Sequence, residues 1–291
     1  MKAVLTGGAG LVLLYTAFIA LADAITKVLA AGYAAPQMYA VSAAVVVVLA
    51  AVSARLKPGR ESLLTSCPGA MALRAAATVL ATLCFFLAFR HLPFAEVFLF
   101  IGLMPLFAAL LAGPVLGETV SPAAWGALGA GFVGVLCLVP QGLAGIGFGH
   151  LIAMAAALFG TVSIVLSRRI GRREQNGLAQ VFYPNLALLA VMGVALPLVW
   201  QPMPLADLAL AALYGAVLFA ARWLLVVAVR DLAAHAVTSL MKLQFVWMVL
   251  IGAVVFGEWP SAHTVLGAAI IVASGLFLSY EDMFRRTPAR A

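Results

Sequence analysis

Gly117-Glu118-Thr119-Val120-Ser121 has a counterpart 140 residues later, Gly257-Glu258-Trp259-Pro260-Ser261. A run of 24 mostly apolar residues precedes each stretch, and this run follows Arg90-His91-Leu92 in the first case and Arg230-Asp231-Leu232 in the second. The offset of 140 is the same for the arginines, the glycines, the glutamates and the final serines. A unit of this length, present twice, accounts for nearly all of the 291 residues.

The amino-acid composition indicates whether this unit folds in water or in a membrane. Hydrophobic residues make up 65% of the chain and charged residues only 9%, and the mean hydropathy is +1.14. These values lie outside the range of water-soluble domains. Ten apolar runs have about the 20 residues that a helix needs to cross a hydrocarbon core: 8–31, 36–55, 69–89, 94–116, 121–140, 148–168, 177–199, 207–229, 235–256 and 262–281. The sequence therefore predicts an all-α integral membrane protein with ten transmembrane helices.

The formal charge of +7 carries a topology signal. When the ten spans are threaded alternately, most lysines and arginines fall on one side, and only Lys27 and Arg90 lie near span ends on the other. This is the positive-inside pattern, which predicts a bacterial-type inner membrane protein with both termini in the cytoplasm. The excess charge gives no reason to expect a nucleic-acid partner. The first span is too long for a cleaved signal peptide, so we expect it to stay in the bilayer.

An odd number of spans in each unit determines how the two units are related. Five spans bring the chain to the opposite face, so the second unit enters the membrane inverted. We therefore expect two inverted five-helix repeats, residues 1–145 and 146–291, around a central cavity. Inverted repeats recur in secondary transporters that work by alternating access. Glu118 and Glu258 are predicted to end helices at the wet interface, where ionisable groups cost little.

Both halves resemble the EamA-type repeat of the drug/metabolite transporter superfamily. The segments that carry this resemblance are 85–90, Pro105, 117–118 and 125–138 in the first half, and 223–230, 257–258 and 267–278 in the second. Within the superfamily the chain most resembles the YddG-type aromatic amino-acid exporters. The resemblance implies ten helices, a central cavity and export of small metabolites. The chain departs from the pattern at one position, because Pro105 has Phe245 as its counterpart.

Polar residues inside the spans are the first candidates for substrate contacts, since each costs at least a few kcal/mol to place there. Arg222 and Lys242 lie at similar depth on consecutive spans, and Ser239 lies on the same helical face as Lys242. Two cations facing a cavity would attract carboxylates, as an amino-acid exporter requires. The alternative is that both long side chains reach toward the interface. For Arg74, near the start of its span, we expect the interface.

Three aromatic residues away from span ends, Phe85, Phe100 and Trp247, are predicted to contact an aromatic substrate. Rings of this kind gain from offset or edge-to-face contacts, although aromatics also fill lipid-facing surfaces. Facilitated or weakly coupled export is predicted, and Glu96 is the carboxylate that the alternative, proton coupling, would use. Asp23 and Lys27 stand four residues apart on the first span and are predicted to neutralise each other.

The sequence offers no pattern for an enzyme. Nucleophile–base spacing, a phosphate loop and metal-ligand spacing are not recognisable, so we predict no catalytic residues, no metal and no cofactor. The predicted function is non-ATP export of aromatic or other neutral amino acids by alternating access. A proton-coupled exporter of another metabolite or drug, or a channel-like pore, is the alternative. The expected partners are a small-molecule substrate and the lipid bilayer; the oligomeric state is left open.

Overall fold

The computed structural model describes residues 8–56, 62–117, 121–136, 146–174, 176–231 and 243–286. In these residues the first half forms α1 (Gly8–Gly32), α2 (Ala35–Leu56), α3 (Pro68–His91), α4 (Phe94–Ile101), α5 (Met104–Leu111) with a π-helical turn at Ala112–Leu116, and α6 (Pro122–Leu136). The second half forms α7 (Phe148–Gly171), α8 (Gly177–Val199), α9 (Leu205–Asp231), α10 (Gln244–Phe256) and α11 (Ala262–Arg286). No strand occurs in the described ranges. An all-helical fold is expected in lipid, where a helix satisfies its own backbone polar groups.

The length and composition of the helices identify a multi-pass membrane protein. Among the described residues, six helices are long and apolar enough to cross a bilayer: 10–32, 35–56, 68–91, 148–171, 177–199 and 205–222. Shorter apolar helices cover 244–256 and 262–274. The structure thus supports an all-α membrane protein.

The sequence repeat of 140 residues is also present in the backbone. Helices α1 and α7 begin at residues 8 and 148, α5 and α10 at 104 and 244, and α6 and α11 at 122 and 262. Gly117 and Gly257 have φ angles of 67° and 66°, and no other described residue has a positive φ. Glycine adopts this left-handed conformation without the steric penalty of a Cβ atom. The repeated glycines are therefore helix-ending residues in both halves.

The fourth predicted span, residues 94–116, is not one continuous helix. It divides into α4 and α5 at Gly102 and Leu103. Pro105 has no N–H to donate to the carbonyl of Ile101, and Gly102 favours a helix weakly, so the helix breaks here. Non-helical backbone at membrane depth is tolerated where protein covers it, and Leu103 is buried.

Small residues fill the centre of the protein and large apolar residues cover its outside. Ala20, Ala156 and Ala211 are 0% exposed, whereas Val194 and Leu198 are 80% and 86% exposed. Water-soluble proteins hide side chains of the second kind, but lipid is as apolar as leucine. Alanine allows helix backbones to approach closely, which is how helices associate in a membrane.

Helix contacts between the halves come in reciprocal pairs. Helix α3 packs on α7, and their counterparts α9 and α1 also pack together. In the same way, α9 contacts α2 and α3 contacts α8, while α2 contacts α8 and α6 contacts α11 across the centre. Exchanging the two halves therefore leaves this set of contacts unchanged. The described helices have the contact pattern of a pseudo-two-fold arrangement.

Loops of the two halves are joined by hydrogen bonds at two places related by the same exchange. The first joins the α1–α2 connection to the start of α9: Tyr33 Oη donates to Asp207 Oδ2 at 2.5 Å, and Gln37 Nε2 donates to the carbonyl of Gln201 at 2.8 Å. The hydrogen bond to Asp207 raises the pKa of Tyr33. We call these contacts the Tyr33 latch.

The second place joins the α7–α8 loop to the α2–α3 loop. Glu174 Oε2 accepts from the Ser66 N–H at 2.6 Å and from the Ser66 hydroxyl at 2.8 Å, and Glu174 Oε1 accepts from the Thr65 hydroxyl at 2.8 Å. Desolvation raises the pKa of Glu174, but these hydrogen bonds together bring it below its usual value. The carboxylate is therefore ionised at neutral pH. We call these contacts the Glu174 latch.

Candidate functional site

Polar side chains line the interface between α1 and α9 inside the protein. Tyr15 on α1 lies within electrostatic range of Arg222 on α9, and Asp23 lies within range of Tyr214. In these two pairs the residue number rises along α1 while it falls along α9, so the two helices run antiparallel. Residues 15 and 23 are separated by about 12 Å along their helix, as are 214 and 222, given a rise of 1.5 Å per residue.

Arg222 is the cation of this interface. The structure gives no ion pair between Arg222 and a described acidic residue. Its side chain keeps part of its accessible surface, and its neighbours in electrostatic range are the neutral phenols Tyr15 and Tyr214 and a second cation, Arg74. A guanidinium placed this way has unused donors for a bidentate carboxylate. The predicted cation is thus in a position to bind an anion.

Asp23 does not form the predicted pair with Lys27. Its Oδ2 accepts a hydrogen bond from Gln244 Nε2 at 3.2 Å, and Lys27 makes its ion pair with Glu258. Four-residue spacing brings two side chains onto one helix face, but the carboxylate of Glu258 reaches Lys27 from the other half. The prediction of an Asp23–Lys27 pair was wrong, and Asp23 is part of the interior site.

A cluster of phenols and rings flanks the site. The Tyr39 ring meets the Tyr214 ring edge-on with centroids 5.8 Å apart, and it meets Phe86 in the same way at 5.7 Å. Tyr39 and Phe86 are buried. Edge-to-face packing of this kind fixes the rings in place. This side of the site therefore consists of aromatic rings packed edge to face.

The three predicted aromatic residues belong to one apolar cluster that involves α1, α3, α4 and α10. Phe100 is buried in it, and Phe85 and Trp247 pack against it while keeping partial exposure. Trp247 Nε1 donates to Thr16 Oγ1 at 3.2 Å, which orients the indole. The structure thus places Phe85, Phe100 and Trp247 in one cluster, and their contact with substrate stays a prediction.

Two predicted substrate contacts, Lys242 and Ser239, lie outside the described residues, and their roles stay predictions. Arg74 is a correction: it is buried rather than at the interface. Its Nη1 donates to the carbonyl of Gln180, which ties α3 to α8. Because this arginine has a backbone partner, it is a structural cation and a useful contrast to Arg222.

Lys27 is at the centre of a second polar group, at the end of α1. Its Nζ lies 2.6 Å from Glu258 Oε1 and 3.3 Å from the carbonyl of Leu92. Glu258 Oε2 accepts from the N–H of Phe94 at 2.7 Å, so the carboxylate also caps the start of α4. Lys27 Nζ lies 5.1 Å from the centroid of the Phe256 ring. The Lys27 ammonium group therefore joins the end of α1 to two other segments, residues 92–94 and 256–258. We call this set of contacts the Lys27 junction.

The structure changes the prediction for Glu258 and gives the surroundings of Glu96. Glu258 does follow the end of α10, but its carboxylate is paired rather than free in the interface. Glu96, the proposed coupling residue, lies in the first turn of α4 within electrostatic range of both Glu258 and Lys27. Glu96 is thus a neighbour of the Lys27 junction, and its coupling role stays a prediction.

Breaking the Lys27 junction should lower the thermal stability of the protein. We expect Lys27→Met and Glu258→Gln each to lower the melting temperature in detergent, and the double variant to cost less than the sum of the two. A coupling energy of about 1 to 2 kcal/mol is expected, because the pair is more enclosed than an exposed one and less than a fully buried one. A double-mutant cycle of thermal unfolding measures it.

The exchanged pair, Lys27→Glu with Glu258→Lys, provides the control. A carboxylate at position 27 would face the Leu92 carbonyl, and an ammonium at position 258 would face the Phe94 N–H. We therefore expect no recovery of the melting temperature. Full recovery would mean that only the charges matter and that the backbone contacts contribute nothing.

Sequence reasoning missed the Lys27 junction and the role of Asp23, although a signal was present. The predicted topology places Lys27 and Glu258 on the same face of the membrane, and Glu258 belongs to the repeated motif. The neighbouring Asp23 offered a partner closer in sequence, so the more distant one was overlooked. Within the described residues, no group of three His, Cys, Asp or Glu residues could hold a metal ion.

Taken together, these features define an integral membrane protein with a charged interior site between two equivalent halves. The sequence model of the EamA-like transporter family matches the chain twice, over residues 6–139 and 147–280. The chain therefore belongs to the EamA-like transporter family. The family is one of transporters, which is consistent with the prediction of a transporter rather than an enzyme.

Relatives extend this comparison. The chain is 32% identical over 186 residues to a riboflavin transporter of Rhizobium johnstonii, a match that covers 64% of this chain and 62% of that protein, less than two thirds of its length. It is 25% identical over 201 residues to the pseudopaline exporter CntI of Pseudomonas aeruginosa, covering 67% and 69%. Neither relative is named for aromatic amino acids, so the resemblance is confirmed for the family and not for the YddG type.

A solved structure has the same fold along nearly its whole length. This crystal structure of a protein is 21% identical, with a TM-score of 0.64, and the match covers 94% of this chain and 98% of that one. At this identity the likeness shows the fold alone.

Proposed function

We propose that this chain exports aromatic or other neutral amino acids across the inner membrane by alternating access. The observation that carries the proposal is Arg222, an interior cation that has no ion-pair partner among the described residues and keeps accessible surface. An uncompensated charge inside a membrane protein is costly and marks a substrate or ion pathway. A substrate carboxylate would supply the missing partner.

The surroundings of Arg222 suit the rest of such a substrate. Tyr15 and Tyr214 lie within electrostatic range of the guanidinium, and the cluster with Phe85, Phe100 and Trp247 lies where α1 meets α3, α4 and α10. An aromatic ring binds well between rings that are already fixed in position. Lys242 and Ser239 complete the proposed set of substrate contacts.

Alternating access follows from the equivalence of the two halves. We propose ten transmembrane helices in two inverted five-helix repeats, residues 1–145 and 146–291, with both termini in the cytoplasm. The paired helix starts and the reciprocal contacts support this arrangement. Inverted repeats that share one central site can expose it to each side in turn. On this topology the Lys27 junction closes the outer side.

Counterflow in proteoliposomes tests the proposal. Vesicles loaded with unlabelled phenylalanine are expected to accumulate labelled phenylalanine transiently, and Lys242→Ala is expected to slow this accumulation. A transient overshoot requires a carrier, so a channel-like pore would give only equilibration. Absence of counterflow for every neutral amino acid would refute the proposed substrate class.

Riboflavin is the second candidate, because one relative is named a riboflavin transporter. The same vesicles, loaded with riboflavin, separate the two substrates. Riboflavin carries no carboxylate, so its counterflow should not depend on Arg222. Riboflavin overshoot without amino-acid overshoot would replace the first proposal by the second.

A further inference from the structure

Asp23 is an interior carboxylate whose charge the described residues do not compensate. Its one hydrogen bond is from the neutral amide of Gln244, at 3.2 Å. Lys27, one helical turn away, is held by Glu258 instead. Part of the Asp23 surface stays accessible. A carboxylate away from water is stable only with a partner, and the accessible part of Asp23 is where a ligand would supply one.

Asp23 and Arg222 border the same space. Tyr15 and Tyr214 each lie within electrostatic range of both charges. The two charges nevertheless form no ion pair with each other. We call the region between these two unlike charges the gap; its negative end is Asp23 and its positive end is Arg222.

We propose that Asp23 binds the ammonium group of the substrate while Arg222 binds its carboxylate, so that the site selects zwitterionic amino acids. This inference rests on the proposed function and names a residue, Asp23, that determines substrate specificity. A molecule that lacks either charge would leave one interior group without a partner. Leaving such a group unpaired weakens binding strongly, so Asp23 selects for the ammonium group and Arg222 for the carboxylate.

The ligand determines the separation that the two ends of the gap must have. Charge-assisted hydrogen bonds of about 2.8 Å at each end, with about 3 Å between the ammonium and carboxylate groups from standard bond lengths, require roughly 8 to 9 Å between the protein groups. Tyr214, at the level of Asp23, precedes Arg222 by about 12 Å along α9. An arginine side chain reaches several ångströms from its helix, which reduces this separation toward the required value.

Three related probes separate the two ends of the gap. Phenylalanine carries both charges, 3-phenylpropionate lacks the amine and 2-phenylethylamine lacks the carboxylate. Their binding to the purified full-length protein is measured as ligand-induced thermal stabilisation, for the wild type, Asp23→Asn and Asp23→Glu. Asp207→Asn is the matched control, because this carboxylate lies in the first turn of α9 and belongs to the Tyr33 latch.

We expect Asp23→Asn to weaken phenylalanine binding 10- to 100-fold, to the level of 3-phenylpropionate, and to leave 3-phenylpropionate within twofold of the wild type. Asp23→Glu should keep the preference for phenylalanine, and Asp207→Asn should change none of the three affinities. Equal weakening of phenylalanine and 3-phenylpropionate by Asp23→Asn, or an unchanged preference, overturns the inference while phenylalanine counterflow by the wild type upholds the proposed function. A wild type that neither binds nor transports any of the probes overturns both.

Discussion

Arg222→Ala is expected to weaken phenylalanine binding and to reduce its counterflow by about 10- to 100-fold. A hydrogen bond to a charged group contributes about 1.5 to 3 kcal/mol, and each 1.4 kcal/mol is a factor of ten in affinity. Arg222→Lys keeps the charge but loses the bidentate geometry, so its affinity should fall between those of alanine and the wild type. Uptake assays in proteoliposomes and binding to the purified protein measure both effects.

The stability of the same variants distinguishes a binding role from a structural one. Removing an interior charge that has no ion-pair partner among the described residues removes a desolvation cost, so Arg222→Ala should melt at the wild-type temperature or above it. The exposed Arg90 supplies the control, since Arg90→Ala should change neither transport nor melting. If Arg222→Ala transports like Arg90→Ala, the carboxylate role of Arg222 is wrong.

Gly215→Ala is expected to destabilise the protein by about 1 to 3 kcal/mol, the usual cost of overpacking. A Cβ atom at this position would lie 2.5 Å from the backbone carbonyl oxygen of Ser42 and 3.1 Å from Cβ of Val45. A backbone atom cannot move aside as the end of a flexible side chain can, so α9 and α2 would have to separate. Thermal unfolding in detergent should show a melting temperature several degrees lower.

Gly193→Ala is the matched control for this prediction. Gly193 also lies inside a long helix, α8, but nothing lies within 4 Å of a Cβ atom built on it. Alanine favours a helix over glycine by up to about 1 kcal/mol, so this variant should melt at a higher temperature. A similar loss of stability in both variants would contradict the close approach of α9 to α2.

The sequence predicted the repeat and the helical membrane fold because both depend on local patterns. Apolar length defines the spans, and the doubled Gly-Glu defines the offset that the helix starts and the left-handed glycines reproduce. The break at Gly102 was harder to predict, because a mid-span proline bends some helices and divides others. Whether the backbone can turn there depends on the neighbours that bury Leu103.

The site could be predicted only in part, because its geometry depends on which helices pack together. The depth of Arg222 in its span predicted an interior cation, since an interior arginine is rare, and its role in binding stays a prediction. Asp23 was paired with Lys27 on the evidence of spacing within one helix. The packing of α1 against α10 gives each residue a different partner: Lys27 forms an ion pair with Glu258, and Asp23 accepts a hydrogen bond from Gln244. Contacts between segments more than 200 residues apart leave no periodic pattern in the sequence.

The Lys27 junction gives the carrier two unequal ends. The residue 140 positions after Lys27 is Ser167, a neutral side chain whose hydroxyl donates to the amide oxygen of Gln180 on α8. On the proposed topology, opening the outer side must break the Lys27–Glu258 ion pair, whereas the neutral Ser167 cannot form the same pair on the inner side. We therefore expect the empty carrier to rest with its site open to the cytoplasm, where an exporter would collect its cargo. The resting state would then favour loading from the cytoplasm, while the substrate gradient sets the direction of net transport.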